Sequence, residues 1–226
     1  MTVLAAHQPN YLPWPGYFHK MARADVFVFV DAVQVPYGAT YGYANRNRIK
    51  TPSGVRWLTV PLKRRGPVSY LEAETAGEEW REEHLRVVRQ NYAQAEHFDA
   101  VYPGYAGVLG AGLSFVETNL ALIRFFAELL DLRPEYRRQS ELGIVEPGSE
   151  LHVALCRELG CDTYLSGSGA ASYNDPELFE AAGIRLAYSQ FEPPVYPQLW
   201  GDFEPGLSVL DLAMNCGESS REVLSL

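Results

Sequence analysis

The stretch HQPNYLPW near the N-terminus combines side chains that could bind a ligand and move a proton. His7 has an imidazole that exchanges a proton near neutral pH, and the amides of Gln8 and Asn10 donate and accept hydrogen bonds. Tyr11 and Trp14 offer flat rings for stacking on a sugar or a base, although such rings also suit a buried corner. We predict that His7 is catalytic and that the other four bind substrate. The alternative is a histidine that only fixes the loop.

Two charged residues, Lys20 and Asp31, follow this loop. Lys20 lies about one helical turn after Gly16, where its ammonium could bind a phosphate or a carboxylate, although a solvated lysine is the alternative. Asp31 ends an apolar segment, where a carboxylate either caps a loop or serves as a general base or metal ligand. We predict a substrate contact for Lys20 and a catalytic role for Asp31.

Asn45, Arg46, Asn47 and Arg48 form a dense polar and basic cluster in an otherwise acidic chain, with Lys50 close behind. Guanidinium groups bind phosphate or carboxylate through paired hydrogen bonds, whereas a solvated turn is the alternative interpretation. Arg46 and Arg48 differ by two positions, so an extended backbone would place both on one face. We predict an extended or looped segment that binds an anionic part of the substrate.

A Ser-Gly loop contains Ser166, Gly167 and Ser168, and its glycines would let backbone N–H groups approach an anion. Ordinary turns use the same residues, and no GxSxG elbow marks Ser168 as a nucleophile. Tyr173 and Asn174 follow the loop, and Asn174 has helix capping as an alternative role. We predict that all five residues bind substrate, without covalent chemistry.

The overall composition indicates a globular protein and restricts its partners. The chain of 226 residues is 47% hydrophobic and 21% charged, which is ordinary for a globular domain. A formal net charge of −9 does not fit a surface that binds nucleic-acid phosphates. We see no signal peptide and no apolar run near the roughly 20 residues that span a bilayer. We therefore expect a cytoplasmic protein with no nucleic-acid or membrane partner.

The cysteines and motifs predict neither a metal site nor a cofactor. Cys156, Cys161 and Cys216 fit no zinc spacing, and the histidines after the N-terminal segment show no HExxH pattern. No flavin or nicotinamide fingerprint is visible. We expect a small-molecule substrate with an anionic group as partner. The aromatic residues of the tyrosine-rich segment 35–50 suit a homodimer and a substrate lid equally.

The hydrophobic pattern predicts alternating strands and helices. A strand at residues 2–6, a helix at 16–24 and an apolar strand at 25–31 make a parallel βαβ unit with a right-handed crossover. Ser114 and Asp175 are predicted helix N-caps. Further strands are predicted at 56–63, 162–165 and 184–188, and further helices at 77–94, 114–132, 148–159, 175–182 and from 207. We predict an α/β fold in a single domain, residues 1–226, with an open, mainly parallel sheet flanked by helices.

This order of elements places two polar loops at strand ends. The loop that begins at His7 follows the first strand, and the Ser-Gly loop follows the strand at 162–165. In an open parallel sheet, ligands bind outside the carboxyl ends of the strands. If both strands belong to one sheet, the two loops lie at the same edge, and we expect them to face a common pocket.

Five runs of sequence resemble the WbqC-like protein family, in family order and from end to end of the chain. The runs are HQPNYLPWPGYFHKMARADVFVFVDAVQ, NRNRIK, WLTVPL, YLSGSGAASYNDPELFEAAGIRLAYSQF and LSVLDLAMNCG. The resemblance implies a role in building polysaccharides or other small-molecule natural products. One role proposed for the family is transfer of an acyl or aminoacyl group to an amino sugar.

The chain order also resembles the opening of the nucleotidylyltransferases and pantothenate synthetases. Their HxxH-type motif touches ATP phosphates, but the corresponding residues here read His7-Gln8-Pro9-Asn10, without the second histidine. Asn10 can still donate a hydrogen bond. This resemblance implies a nucleotide-binding layout as an alternative.

The resulting hypothesis is an enzyme of small-molecule, polysaccharide or natural-product biosynthesis. We expect a group transferase that moves an acyl or aminoacyl group to an amino-containing acceptor. One alternative is a nucleotide-dependent enzyme that resembles the nucleotidylyltransferases. The other is a ligand-binding or assembly protein of the pathway without catalysis.

Overall fold

The computed structural model describes residues 1–36, 42–63 and 66–226. The tyrosine-rich segment predicted to serve as a dimer surface or a lid falls in part on residues 37–41, outside the described residues. The chain forms two compact units and alternates between them. The first unit contains Met1–Gln8, His19–Val33 and Arg133–Glu192, and the second contains Pro9–Phe18, Gln34–Leu132 and Pro193–Leu226. The single domain proposed from the sequence stays a prediction.

The described residues form strands and helices that we number in chain order. The strands are β1 (Val3–His7), β2 (Val26–Phe29), β3 (Arg46–Thr51), β4 (Gly54–Thr59), β5 (Glu135–Arg138), β6 (Thr163–Gly167) and β7 (Arg185–Ser189). The helices are α1 (Pro15–Met21), α2 (Glu79–Tyr92), α3 (Phe98–Gly110), α4 (Phe115–Leu129), α5 (Gln139–Leu142), α6 (Gly148–Glu158), α7 (Pro176–Ala181), α8 (Val209–Cys216) and α9 (Ser220–Val223).

The first unit is built on a five-stranded sheet in the order β5-β2-β1-β6-β7. Every neighbouring pair of strands is parallel. All four residues of β2 are buried, as expected for an interior strand covered on both faces. The predicted α/β fold and its opening β1-α1-β2 order are confirmed. The sequence analysis did not predict β5, whose residues are mostly charged, as an edge strand allows.

The core of the first unit follows from the alternation of side chains along its strands. Leu4 on β1 and Val28 on β2 belong to one buried apolar cluster. Leu151 and Leu155 on α6 and Phe179 on α7 belong to the same cluster, so these helices cover the sheet with their apolar sides.

The second unit combines the antiparallel hairpin β3–β4 with helices that pack on one another, mainly α2, α3, α4 and α8. The predicted N-cap of α4 is confirmed, because Ser114 Oγ accepts a hydrogen bond from the N–H of Glu117. The sequence did not predict α3, which contains Pro103 and several glycines of low helix propensity. One of them, Gly104, leaves room for the ring of Phe125.

No helix among residues 1–36, 42–63 and 66–226 has the length and apolar character needed to cross a bilayer.

Candidate functional site

The order of strands in the first unit reverses between β1 and β6. From β1 the chain goes on to β2 and β5 on one side, and only later adds β6 and β7 on the other side. Ligands of open α/β sheets bind outside the carboxyl ends of the strands at such a switch point. His7 ends β1 and Gly167 ends β6, so the predicted common edge is confirmed. That the two loops share one pocket stays a prediction.

β1 and β6 pair with each other over only part of their length. Their register joins Val3 with Thr163 and Leu4 with Tyr164. On its other side, β1 stays paired with β2 as far as His7. Within the described chain, the β1–β6 register stops at Leu4, so further pairs do not join these two strands at their carboxyl ends.

The amine of Lys20 lies on the β6 side of β1, beyond the last β1–β6 pair. The carbonyl of His7 accepts a hydrogen bond from the N–H of Val30, so it points toward the β2 side. Carbonyl directions alternate along a strand, and that of Ala6 therefore points toward β6. Lys20 Nζ donates a hydrogen bond to Ala6 O over 2.9 Å. The long side chain thus returns from α1 to the switch point.

Burial controls the charge of Lys20. Its side chain is buried, with 5% of the residue exposed. Burial lowers the pKa of the amine from 10.5 to about 7, because a low-dielectric environment disfavours the ammonium. A large fraction of the amine is therefore uncharged at neutral pH. The anion contact predicted for Lys20 would require the amine to bind a proton and become an ammonium.

His7 is partly buried at the end of β1, and its Nδ1 lies 3.2 Å from the carbonyl oxygen of Gln8. Burial, and then the charge of Lys20, lower the pKa of the imidazole to about 3, although the backbone contact with Gln8 acts in the opposite direction. The imidazole is therefore neutral and weakly basic at physiological pH. This state suits a hydrogen-bonding contact better than the predicted transfer of protons.

Two further histidines lie in the first unit, and the sequence analysis gave them no role. The ring of His152 on α6 stacks on Tyr164 of β6 with 4.4 Å between ring centroids. Burial and the charge of Lys20 lower the pKa of His152 to about 4. Its buried Nδ1 has no hydrogen-bond partner among the described residues. His19 Nδ1 lies 3.5 Å from Ser189 Oγ at the end of β7. Only tertiary packing brings His152 to β6, so no sequence signal could have found it.

Asp31 is fully buried and holds the ends of β2 and β5 together. Its carboxylate accepts hydrogen bonds from Arg138 Nε at 2.7 Å, from Ser140 N at 3.0 Å and from Ser140 Oγ at 2.8 Å. These contacts are those of the loop-capping alternative. They leave the carboxylate engaged with protein donors on both oxygens, which weakens the case for the predicted catalytic role.

The Ser-Gly loop is fixed at its start and exposed farther along. Ser166 is buried, and its Oγ accepts a hydrogen bond from Asn174 Nδ2 at 2.9 Å. Gly167 is the last residue of β6, and Ser168 begins an exposed helical turn. Tyr173 is 74% exposed. Asn174 therefore holds the loop, whereas Ser168 and Tyr173 are open to a ligand.

Asp175 confirms the predicted N-cap of α7. Its Oδ1 accepts hydrogen bonds from the N–H groups of Glu177 and Leu178 at 3.1 and 3.3 Å. The cap fixes the start of the helix directly after Asn174.

The remaining residues of the N-terminal loop belong to the second unit. Asn10 Oδ1 accepts a hydrogen bond from Tyr70 OH at 3.3 Å. Tyr11 is buried, with its hydroxyl 2.8 Å from His84 Nδ1. The ring of Trp14 covers the backbone of Gly16, where a Cβ atom would lie 2.4 Å from the ring. The contacts of Tyr11 are those of the buried-corner alternative.

The polar and basic cluster also lies in the second unit, on β3. The predicted extended backbone is confirmed, and Arg46 and Arg48 share one face, with guanidinium carbons 4.5 and 6.0 Å from the ring centroid of Trp57. Asn45 Nδ2 donates a hydrogen bond to Val60 O at 2.8 Å, and Asn47 Nδ2 donates to the carbonyl of Leu12. Both amides therefore position the hairpin.

The two arginines differ in their surroundings. Arg48 Nη2 donates hydrogen bonds to the carbonyls of Gly206 and Pro205 at 2.8 and 3.2 Å, which ties β3 to the loop before α8. Arg46 and Asn45 line a cavity of about 390 Å³. Arg46 is therefore the residue of the cluster best placed to meet a ligand.

Sequence comparisons match nearly the whole chain. A family described as the WbqC-like protein family matches residues 8–223. The chain is also 32% identical, over 231 aligned positions, to the uncharacterized protein Rv1507c of Mycobacterium tuberculosis. That alignment covers 99% of this chain and 98% of the relative. The family match therefore includes Lys20 and the Ser-Gly loop, but it begins one residue after His7.

Proposed function

The chain belongs to the WbqC-like protein family, and from this premise we propose that it is a group-transfer enzyme of polysaccharide or other small-molecule biosynthesis. The transferred group is an acyl or aminoacyl group, and the acceptor carries an amine, as in an amino sugar. The reaction takes place at the carboxyl ends of β1 and β6 in the first unit.

The observation that carries this proposal is the polar chemistry at the switch point of the sheet. A lysine amine, a neutral imidazole and an exposed Ser-Gly turn lie at the edge formed by β1 and β6. Switch points of this kind bind ligands in open α/β sheets. An amine acceptor must lose a proton to become a nucleophile, and the edge offers groups that exchange or position protons.

Binding of an anion within the second unit is a separate proposal. Within the second unit, Arg46 lines a cavity together with Asn45, and its guanidinium can bind a phosphate or a carboxylate through paired hydrogen bonds. Arg48 and Lys50 serve the hairpin and its neighbouring loop instead, because their donors contact backbone carbonyls.

A ligand screen followed by a transfer assay tests the function. We expect amino sugars and acyl or aminoacyl thioesters to raise the melting temperature, because a ligand at 100 times its Kd stabilises a fold by about 2.7 kcal/mol. Mixtures of stabilising donors and acceptors should then give an acylated amine, detected by mass spectrometry. Binding without any product would favour the non-catalytic ligand-binding alternative.

The strand order favours a second candidate, a nucleotide-dependent enzyme. Counted within the sheet, the order is third, second, first, fourth, fifth, which matches the first five strands of the doubly wound sheets that bind dinucleotides. The same screen separates the candidates. Stabilisation by nucleoside triphosphates, with release of pyrophosphate and no acyl transfer, would replace the first proposal by this one.

A further inference from the structure

Two lysines of this chain are equally buried but have different surroundings. Lys20 and Lys50 are each 5% exposed. Lys50 Nζ donates hydrogen bonds to Gln198 Oε1 and to the carbonyls of Gly201 and Asp202. Among the described residues, Lys20 Nζ donates one hydrogen bond, to the backbone carbonyl of Ala6. The environment of Lys20 therefore offers little stabilisation to an ammonium ion.

The two histidines on which Lys20 acts are also basic groups. His7 on β1 and His152 on α6 both feel its charge. Asp31, the buried carboxylate at the end of β2, is engaged with Arg138 and Ser140. Within the described chain, the amine of Lys20 forms no hydrogen bond or ion pair with a carboxylate. The uncharged amine, which can accept a proton, is therefore the form that burial favours.

We infer that Lys20 is the proton acceptor of the transfer reaction, with its amine held by the carbonyl of Ala6 on the side of β1 that faces β6. This inference rests on the proposed function. The acceptor enters as an ammonium ion and gives a proton to the uncharged amine of Lys20, which becomes an ammonium. The neutral acceptor amine then attacks the acyl carbon of an ester or thioester donor.

The transfer reaction needs no oxidant or reductant. A bond forms between the acceptor nitrogen and the acyl carbon, and the bond between that carbon and the leaving oxygen or sulfur breaks with its electron pair. The nitrogen loses its second proton to solvent, and Lys20 returns its proton to the leaving alkoxide or thiolate. The neutral imidazoles of His7 and His152 provide hydrogen-bonding contacts without holding the proton.

The chain contains three lysines, Lys20, Lys50 and Lys63, which makes the charge state of Lys20 directly measurable. Lysine labelled with ¹³C at Cε gives one NMR signal for each of these residues, and Lys20→Arg identifies the signal of Lys20. We expect this signal to titrate between about pH 6 and 8. A signal that stays in the ammonium form through pH 9 overturns the inference, whether or not a substrate is known.

Transfer rates supply the second readout, with the donor and acceptor found in the screen. Lys20→Met should lower kcat by about 10²- to 10⁴-fold, the range of general acid–base catalysis. Lys20→Arg should be equally slow, because a guanidinium attracts anions but does not accept a proton at these pH values. Arg86→Lys, which changes an exposed ion pair with Glu83 on α2, is the control that should keep the wild-type rate.

The outcomes separate the two proposals. Wild-type protein that transfers no acyl group contradicts the proposed function and removes the reaction in which Lys20 would act. Wild-type transfer that survives in Lys20→Met contradicts the inference alone. Activity retained in Lys20→Arg but lost in Lys20→Met would assign Lys20 to anion attraction and also contradict it. The pH profile of kcat should rise through an apparent pKa near 7.

Discussion

The state of a single side chain, Lys20, links the stability of the first unit to its proposed chemistry. Charging a buried amine costs free energy unless several acceptors surround it, and among the described residues Lys20 donates to one backbone carbonyl. The same condition that destabilises the ammonium makes the amine a base near neutral pH. The site therefore holds a group that the fold alone would not favour, as functional sites often do.

This cost predicts how stability depends on pH. The pKa of Lys20 is about 7 in the folded protein and 10.5 for a lysine in water, so between these pH values the unfolded chain binds more protons. The free energy of unfolding of the wild type, relative to Lys20→Met, should rise by about 2 kcal/mol from pH 7 to pH 9. Urea unfolding of both proteins at these pH values measures the difference. If the difference in free energy of unfolding between the two proteins is the same at pH 7 and pH 9, the folded protein does not depress the pKa of Lys20.

At the scale of elements, the carboxyl ends of neighbouring strands are held by different devices. The register of β1 and β2 continues to His7, whereas β1 and β6 are not paired beyond Leu4 in the described chain. β2 and β5 are joined beyond their last pair by Asp31, which accepts hydrogen bonds from Arg138 and Ser140. One side of the edge is thus fixed, whereas the described pairs of β1 and β6 end at Leu4.

Two aspartates that flank β2 offer a matched test of this role. Asp31→Asn should lower the free energy of unfolding by about 3 kcal/mol, because it removes the charge partner of Arg138 at a buried position. Asp25→Asn should lower the free energy of unfolding by less than about 1 kcal/mol. Asp25 is exposed, and among the described residues its carboxylate accepts one hydrogen bond, from Val3 N. Urea unfolding measures both. An Asp31→Asn protein of wild-type stability that has lost transfer activity would instead support the catalytic role predicted from sequence.

At the scale of the whole molecule, the sequence predicts the parallel βαβ opening and most of the later helices. It does so because the spacing of apolar residues and the type of capping residue are local signals. Ser114 and Asp175 are examples of such caps. α3 was missed because Pro103 and its glycines oppose a helix, and tertiary packing overrides that preference. The edge strand β5 was missed because Glu135–Arg138 lacks the apolar run of an interior strand.

The sequence predicts the edge of the sheet at which the candidate site lies. It does not predict the protonation states and contacts of the side chains there. The positions of the two polar loops follow from chain order and the direction of parallel strands. The roles of Lys20 and His7 depend on how deeply each is buried, and the contact of His152 with Tyr164 depends on how α6 packs on β6. Burial and packing are properties of the fold, so local sequence does not report them.

Hydrogen exchange with a bound ligand tests the central claim, that substrate binds at the carboxyl ends of β1 and β6. The measurement compares amide exchange with and without the ligand that stabilises the protein most strongly in the screen. We predict slower exchange in peptides that cover residues 5–8 and 164–170, with or without added protection near Arg46. Protection confined to β3 and β4, with none at His7 or in the Ser-Gly loop, would contradict the account and move the site to the hairpin.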